Sequence, residues 1–474
     1  MSTPETARAA QNPGRRQRRW ALSLLVAILV LVGLGHALYR HWAPPPHLSG
    51  DEPFYLRTAL KEARTGETSL LPGAQRFAHR PMLITRVYAN LISAEEPKRE
   101  AVRRIFNFNT VLLFVVLGVV FWQARSLGLG AAGRLCAVGF LGAAPWFAYY
   151  VYGLWPEIAH AAVFGVGFGL ILSYLRQPRW WLLPAAGIGF GYAVLLKGTI
   201  QNFVPLAAGF LLVFAYRSSS GARRWRRALH TGGVPALFLL GLLAVVGTQA
   251  YANARAGDGY RVAANQWRNI EWGLRAQVPS DPPELKELSW TAATRQYMRA
   301  GKGLRGGQRL IERERLSRER TLEFAQSLPP TRLAYRQLEK LWTRVVTRWW
   351  LLDDSSLAGW KPWGERPPRW VTFVAARGDV LWYLGALALA LGVPMFCWRS
   401  AGFAFVSLFC AYYVFALLAI PVNTRFAIQV APMLSLFVGA WVDVLRRALP
   451  QHLPRLRLGL ASLRERARRA VQAA

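Results

Sequence analysis

Two carboxylates stand side by side in Ser49-Gly50-Asp51-Glu52-Pro53-Phe54-Tyr55, about a dozen residues beyond an apolar run over 20–38 that is long enough to cross a bilayer. Carboxylates next to hydrocarbon are costly unless paired or used, so the pair reads as the reactive edge of a membrane enzyme. Successive helical residues point about 100° apart, so one acid can face a cavity while its neighbour faces another helix, and only one need be chemical. The plain alternative is a helix start, because Ser49, Gly50 and Asp51 are good caps and acids favour a first turn.

Four further groups have types suited to the same work. His79-Arg80-Pro81 opens a second helical stretch, where a guanidinium and helix N–H groups can hold an anion together; otherwise Arg80 meets lipid head groups. Trp155-Pro156-Glu157 opens a span with a carboxylate, which could equally be a dipole partner. Lys197-Gly198 presents an ammonium where one apolar helix ends and the next begins, although lysines at helix ends often snorkel. Asn423-Thr424-Arg425 forms a tight turn between the last two apolar runs, with head-group contact as the alternative for Arg425.

The elements that must position these groups are membrane helices. In 474 residues, 53% are hydrophobic and 20 are Trp, more apolar mass than one water-soluble core requires. It is gathered in runs near 20–38, 107–124, 132–152, 157–175, 180–197, 199–216, 230–250, 380–398, 401–420 and 426–445. The expected fold is an all-α polytopic membrane protein with about ten transmembrane helices. Arginines 15, 16, 18 and 19, then 125, 134, 176, 179, 223, 224, 226, 227, 399, 446 and 447 occupy alternate short connections and place those sides in the cytoplasm. All the candidate groups then fall on the opposite side.

This divides the chain into a basic tail (1–19), an N-terminal transmembrane catalytic module (20–250) with a first outer loop at 39–106, a long outer loop (251–379), C-terminal spans (380–446) and an amphipathic basic tail (447–474). The first outer loop carries two amphipathic surface helices, Asp51 to Arg64 and Pro81 to Ile92, joined by a turn over Thr65 to Gly73. The long outer loop is mostly helical, with a charged stretch at Glu312 to Gln326 and an aromatic-basic one at Arg332 to Leu352.

A net charge of +34 is explained largely by the inner turns and the two tails, and no aromatic-basic readout module is present, so nucleic acid is excluded as a partner. The final tail, with Leu453, Leu456, Leu460 and Leu463 among arginines, reads as an anchor on anionic membrane lipids. Cys136, Cys397 and Cys410 all lie in apolar runs, leaving neither a disulfide framework nor a thiolate metal site. No cofactor is expected, although Asp51, Glu52 and Glu157 are hard oxygen ligands that could take a divalent ion.

Two acids and three cations converging at a lipid interface suit a substrate with a hydroxyl and a lipid phosphate. At this point the chain resembles the membrane glycosyltransferases of the C-type fold, in the branch of protein O-mannosyltransferases and the transferase that adds aminoarabinose to lipid A. The likeness rests on Gly50-Asp51-Glu52, His79-Arg80-Pro81-Met82-Leu83, Glu157, Leu195-Leu196-Lys197-Gly198-Thr199 followed by Pro205, and Thr424-Arg425-Phe426 leading through Pro432 into the last span. The sequence departs from that family where its lysine-proline-proline becomes His79-Arg80-Pro81, where aspartate becomes Glu157, and where no large soluble domain follows the spans.

The resemblance implies a polyprenyl-phosphate sugar donor used on the outer side of a bacterial inner membrane, with inversion at the sugar carbon. It places Asp51 towards the acceptor, whether glycolipid, polysaccharide or protein, and Arg80 and Lys197 near the donor phosphate, with Arg425 a third cation. Glu52 stands with Asp51 as the candidate catalytic pair, and His79, Glu52 and Glu157 are expected to orient the acceptor or pair with the cations. Two other classes compete. A transporter or flippase of lipid-linked sugars also needs cations near a phosphate, but commonly shows repeats and broken spans. A polysaccharide ligase or polymerase relies instead on loop arginines such as Arg261, Arg268 and Arg275.

Overall fold

A computed structural model describes residues 13–42, 51–66, 83–144, 150–221, 223–255, 266–275, 278–281, 304, 306–346, 369–419 and 428–448, and every regular element among them is helical. His79, Arg80, Pro81, Arg261, Arg425 and the tail after 448 lie outside the described residues.

The apolar runs fold as helices because lipid offers no partner for backbone N–H and C=O groups, which a helix satisfies internally. In order these are α1 (Pro13–Trp42), α4 (Lys98–Ser126), α5 (Ala131–Gly142), α6 (Glu157–Arg176), α7 (Leu182–Leu196), α8 (Phe203–Ser218), α9 (Arg224–Arg255), α13 (Arg369–Phe396), α14 (Ala401–Ala419) and α15 (Ile428–Ala448). Stretches of α1, α4, α6, α9 and α15 are long and apolar enough to cross a membrane, and α5, α7, α8, α13 and α14 contribute shorter apolar helices. Only 6% of the Trp20–Ala37 stretch of α1 is buried, and Leu22, Leu24, Val26, Leu31 and Leu34 face outward. A surface that apolar is stable in lipid, not in water. The protein is a multi-pass membrane protein.

The apolar run over 132–152 is not one helix, contrary to expectation. The α5 helix stops at Gly142, and Gly153 to Trp155 are non-helical. Ala144 precedes Pro145, and the residue before a proline is pushed out of helical geometry, so the run breaks there.

The core is built on rings. Phe164 and Phe168 of α6 meet Phe409 and Phe405 of α14 at 4.8 and 4.7 Å, with Phe190 of α7 and Phe203 of α8 closing the cluster. Such offset and tilted pairs each add about 0.5–1.5 kcal/mol beyond the area buried. They tie the last helices of the chain to the middle ones.

At one end of the bundle α15 reaches back to the start of α5. The α5 helix begins at Gly130 without a side-chain cap of its own, and Asp443 accepts hydrogen bonds from the N–H groups of Gly130 and, at 3.0 Å, Gly133. The two helices approach so closely that a Cβ on Gly133 would lie 2.6 Å from the Gly439 carbonyl oxygen, so only glycine fits. A cap supplied across 310 residues still stabilises the helix start. Asp443→Ala is expected to cost about 0.5–2 kcal/mol, read as a lower unfolding temperature in detergent with the helical content of the remaining fold unchanged.

At the opposite end lie the shorter helices α2 (Glu52–Thr65) and α3 (Leu83–Leu91). Gly66, at φ 70°, ends α2 with its N–H on the Glu62 carbonyl, the left-handed stop that the expected turn requires. Tyr55, Leu56, Ala59 and Leu60 of α2 bury against Ile84, Tyr88 and Ala89 of α3, and the same cluster takes in Leu154, Ala159 and Leu196. The two helices therefore cap the ends of α6 and α7. Beyond α9, α10 (Gln266–Leu274), α11 (Gly306–Gln326) and α12 (Pro330–Lys340), continued by a π-helical turn at Leu341–Val346, form a charged helical unit at this same end.

Candidate active site

Lys197 is the first residue after α7, and it leaves the helix in extended geometry at φ −157° and ψ 114° while its N–H still bonds the Ala193 carbonyl. This break turns the side chain towards the start of α6. There its Nζ lies 3.0 Å from Oε1 of the buried Glu157, with only 11% of the lysine side chain exposed. Removing one member of such a pair strands a buried charge, which typically costs 3–5 kcal/mol. An ammonium has three donor hydrogens, so the bond to Glu157 is compatible with a phosphate oxygen as a further partner.

The segment that delivers Glu157 is held by three helices at once. Glu52 Oε1 of α2 accepts the N–H of Leu154 at 2.8 Å, Asn109 Nδ2 of α4 donates to the Gly153 carbonyl at 2.8 Å, and the Tyr88 hydroxyl of α3 donates to the Trp155 carbonyl at 3.2 Å. Burial pushes the Tyr88 phenol far up, with the Glu157 and Glu52 charges adding to it, so it remains a donor. Asp51 immediately precedes Glu52, and its side chain makes no cap bond to α2. Tyr55, one turn on, meets Trp155 edge to face at 6.4 Å. Asp51 thus sits at the root of the helix that braces the Glu157 segment.

On the far side of Lys197 the chain makes a short 3-10 turn, Gly198–Ile200, that the last helices grip. The Tyr412 hydroxyl donates to the Thr199 carbonyl at 2.6 Å, and Gln429 of α15 accepts from Tyr413. Gln201 Nε2 donates to Gln266 Oε1 at 3.0 Å, which brings the start of α10 over this turn. The start of α15, which follows the Asn423-Thr424-Arg425 segment, therefore stands beside Thr199.

The α10–α12 unit is knit by buried charge. Arg336 holds Asp281 at 2.5 and 2.8 Å, and Glu271 pairs with Arg320 at 3.1 Å and Arg275 at 3.6 Å. Burial works to raise the Asp281 carboxyl, but the Arg336 guanidinium and the Val278 N–H outweigh it and hold the group below the usual range. Arg275 also lies over the Phe324 ring at 5.1 Å. This arginine, which a ligase reading would use on substrate, is engaged in folding the unit.

No protein-family model matches the chain, and no curated protein sequence does. Solved structures do. The oligosaccharyltransferase AglB of Archaeoglobus fulgidus, solved with an inhibitory peptide and a dolichol-phosphate, matches 93% of this chain and 51% of its own at 15% identity and a TM-score of 0.52. The apo oligosaccharyltransferase of the same organism matches 93% and 52% at 15% identity and a TM-score of 0.50. The chain has the C-type glycosyltransferase fold. It spans about half the length of those oligosaccharyltransferases. ArnT of Cupriavidus metallidurans bound to undecaprenyl phosphate also matches 88% of this chain and 78% of its own, at 15% identity, but its TM-score of 0.37 is too low to weigh.

Within the C-type fold the sequence candidates separate. Asp51, Glu52, Glu157 and Lys197 come together at one end of the bundle, while His79, Arg80 and Arg425 fall outside the described residues. Glu52 braces backbone at Leu154, and Glu157 holds Lys197. Among the described residues no group of three or more His, Cys, Asp or Glu side chains is placed to hold a metal. Sequence reasoning missed Tyr88, Asn109 and His160. His160 follows Glu157 by three residues, one turn along α6, is fully buried, stacks on Phe164 at 5.7 Å, and has no hydrogen-bond partner at either ring nitrogen among the described residues. Asn109 and His160 were findable as polar residues inside apolar runs, where they are costly and so carry meaning.

The brace has a direct consequence. Glu52→Ala leaves the buried Leu154 N–H without its acceptor and is expected to cost about 1–3 kcal/mol, whereas Glu52→Gln keeps an oxygen in place and loses less. Thermal unfolding of the two variants in detergent checks the order.

Proposed function

We propose that the chain is a membrane glycosyltransferase that moves a sugar from a polyprenyl-phosphate donor to an acceptor hydroxyl at the extracytoplasmic face. The single observation that carries this reading is the buried Lys197–Glu157 pair, at the end of a segment whose Leu154 N–H is braced by Glu52, the neighbour of Asp51. The fold supports it, since the neighbouring oligosaccharyltransferase was solved with a dolichol-phosphate. The alternate short arginine-bearing connections support about ten spans, with the Lys197 end outward.

In the proposed reaction Asp51 accepts the proton of the acceptor hydroxyl as its oxygen attacks the sugar C1, a step usually worth about 10²–10⁴ in rate. The C1–phosphate bond breaks on the opposite face, so configuration inverts. Polyprenyl phosphate leaves with the bonding electrons. A phosphate is already a good leaving group, so cations rather than a second acid suffice: Lys197 as a point charge, Arg80 in a bidentate grip and Arg425 as a third partner. Glu157 holds Lys197, Glu52 holds the Glu157 segment, and His79 orients the acceptor. The sugar and the acceptor class, whether glycolipid, polysaccharide or protein, are left open by these residues.

The test is to incubate the purified protein in proteoliposomes with a polyprenyl-phosphate sugar labelled in the sugar and with an envelope extract as acceptor. The proposal expects label to leave the lipid and appear on an acceptor with inverted linkage. Label that crosses the bilayer while still on its lipid would instead identify a flippase.

A further inference from the structure

The α12 helix is built inside out for a helix in water. Two of its four charged residues, Arg336 and Lys340, are buried, while Tyr335 and Leu338 of α12 and Trp342 of the π-helical turn that continues it are 59%, 60% and 63% exposed. These three follow each other at helical spacing and, with Thr331 and Ala334, make one outward face with no charge on it.

The buried side fixes how deep that face sits. Lys340 Nζ donates to the Leu418 carbonyl at 2.7 Å, near the end of α14, and to the Gly273 carbonyl at 2.9 Å, near the end of α10. The α14 helix is apolar throughout, and Phe415, one turn before Leu418, is itself exposed on the outer surface of the bundle. The face of α12 is therefore tied to the end of an apolar helix whose own exposed side chains meet lipid. Tyr and Trp with an aliphatic between them are the composition of the water–lipid boundary, where the rings lie among acyl chains and their polar atoms among head groups. Arg332, exposed on the flank of the same helix, suits anionic head groups.

We infer that α12 and the π-helical turn that continues it lie in the boundary of the bilayer with Tyr335, Leu338 and Trp342 immersed among lipids, and so fix the height of the α10–α12 unit above the Lys197 turn. This surface continues the lipid-facing belt of the spans. Through Lys340 and Gly273 it holds α10, and through Gln266 and Gln201 it reaches the turn that follows Lys197. Membrane lipid is thus a structural partner of the outer unit as well as of the spans.

The test uses the full chain with Cys136, Cys397 and Cys410 replaced by alanine, in vesicles of phosphatidylethanolamine and phosphatidylglycerol. Nitroxides are attached in turn at Tyr335→Cys, Leu338→Cys and Trp342→Cys, with Glu319→Cys on the exposed charged face of α11 as the water reference. The inference expects collisions with oxygen, which concentrates in lipid, to exceed those with a water-soluble nickel chelate at all three positions, and the reverse at Glu319. Nickel contact exceeding oxygen contact at Leu338 overturns it. Protection from both reagents also overturns it, because the face would then be covered by protein. Three independent sites keep the result readable if one variant folds poorly.

Discussion

Asp51→Asn is expected to reduce sugar transfer about 10²–10⁴-fold while leaving donor binding and thermal stability near those of the unaltered protein. The amide keeps the size of the carboxylate and cannot accept the hydroxyl proton. The Asp51 side chain makes no cap bond to α2, so the substitution removes no helix cap. Glu52, its neighbour, must behave in the opposite way: its carboxylate braces Leu154, so substitution lowers stability before it lowers chemistry. Turnover per folded protein, measured in proteoliposomes alongside the unfolding temperature, separates the two acids. Near-normal turnover by Asp51→Asn removes the base from the mechanism.

Lys197 carries the second large effect, and here structure and chemistry must be pulled apart. Lys197→Met strands the buried Glu157 carboxylate and is expected to destabilise the protein by about 3–5 kcal/mol. Adding Glu157→Leu removes the stranded charge, and replacing both members of a buried pair by apolar groups is often neutral or stabilising. The double variant is therefore expected to regain its unfolding temperature and remain defective in transfer by about 10²–10³-fold, the usual loss when one preorganised charge is withdrawn from a transition state. If the double variant regains both stability and transfer, the pair serves folding alone.

Much of the fold was legible because lipid leaves the backbone few choices. Each of the ten apolar runs contains a helix, and the first of the two helices expected between the first two runs, Asp51 to Arg64, is found at Glu52–Thr65. The break after Gly142 was not legible from hydropathy, since Leu141 to Val151 is apolar and only Pro145 signals the stop. In the site, Lys197 and Glu157 were legible as charges at the mouths of spans. Their pairing was not, because it joins residues 40 apart, and the Glu52 brace spans 102. Which of the two neighbouring acids turns inward depends on where α2 lands on Leu154, a property of packing between helices rather than of either helix. The inverted face of α12 was hidden for the same reason: a lysine in an amphipathic segment reads as exposed until a carbonyl such as Leu418 is brought to meet it.

In the proposed mechanism Asp51 and the Lys197–Glu157 pair border one pocket made for a lipid phosphate. An experimental map of the protein with polyprenyl phosphate decides this. A phosphate oxygen is expected within hydrogen-bond reach of Lys197 Nζ, about 2.7–2.9 Å for a charged pair, with Asp51 lining the same cavity. Phosphate held by other residues, with Lys197 turned wholly into the protein, would contradict it.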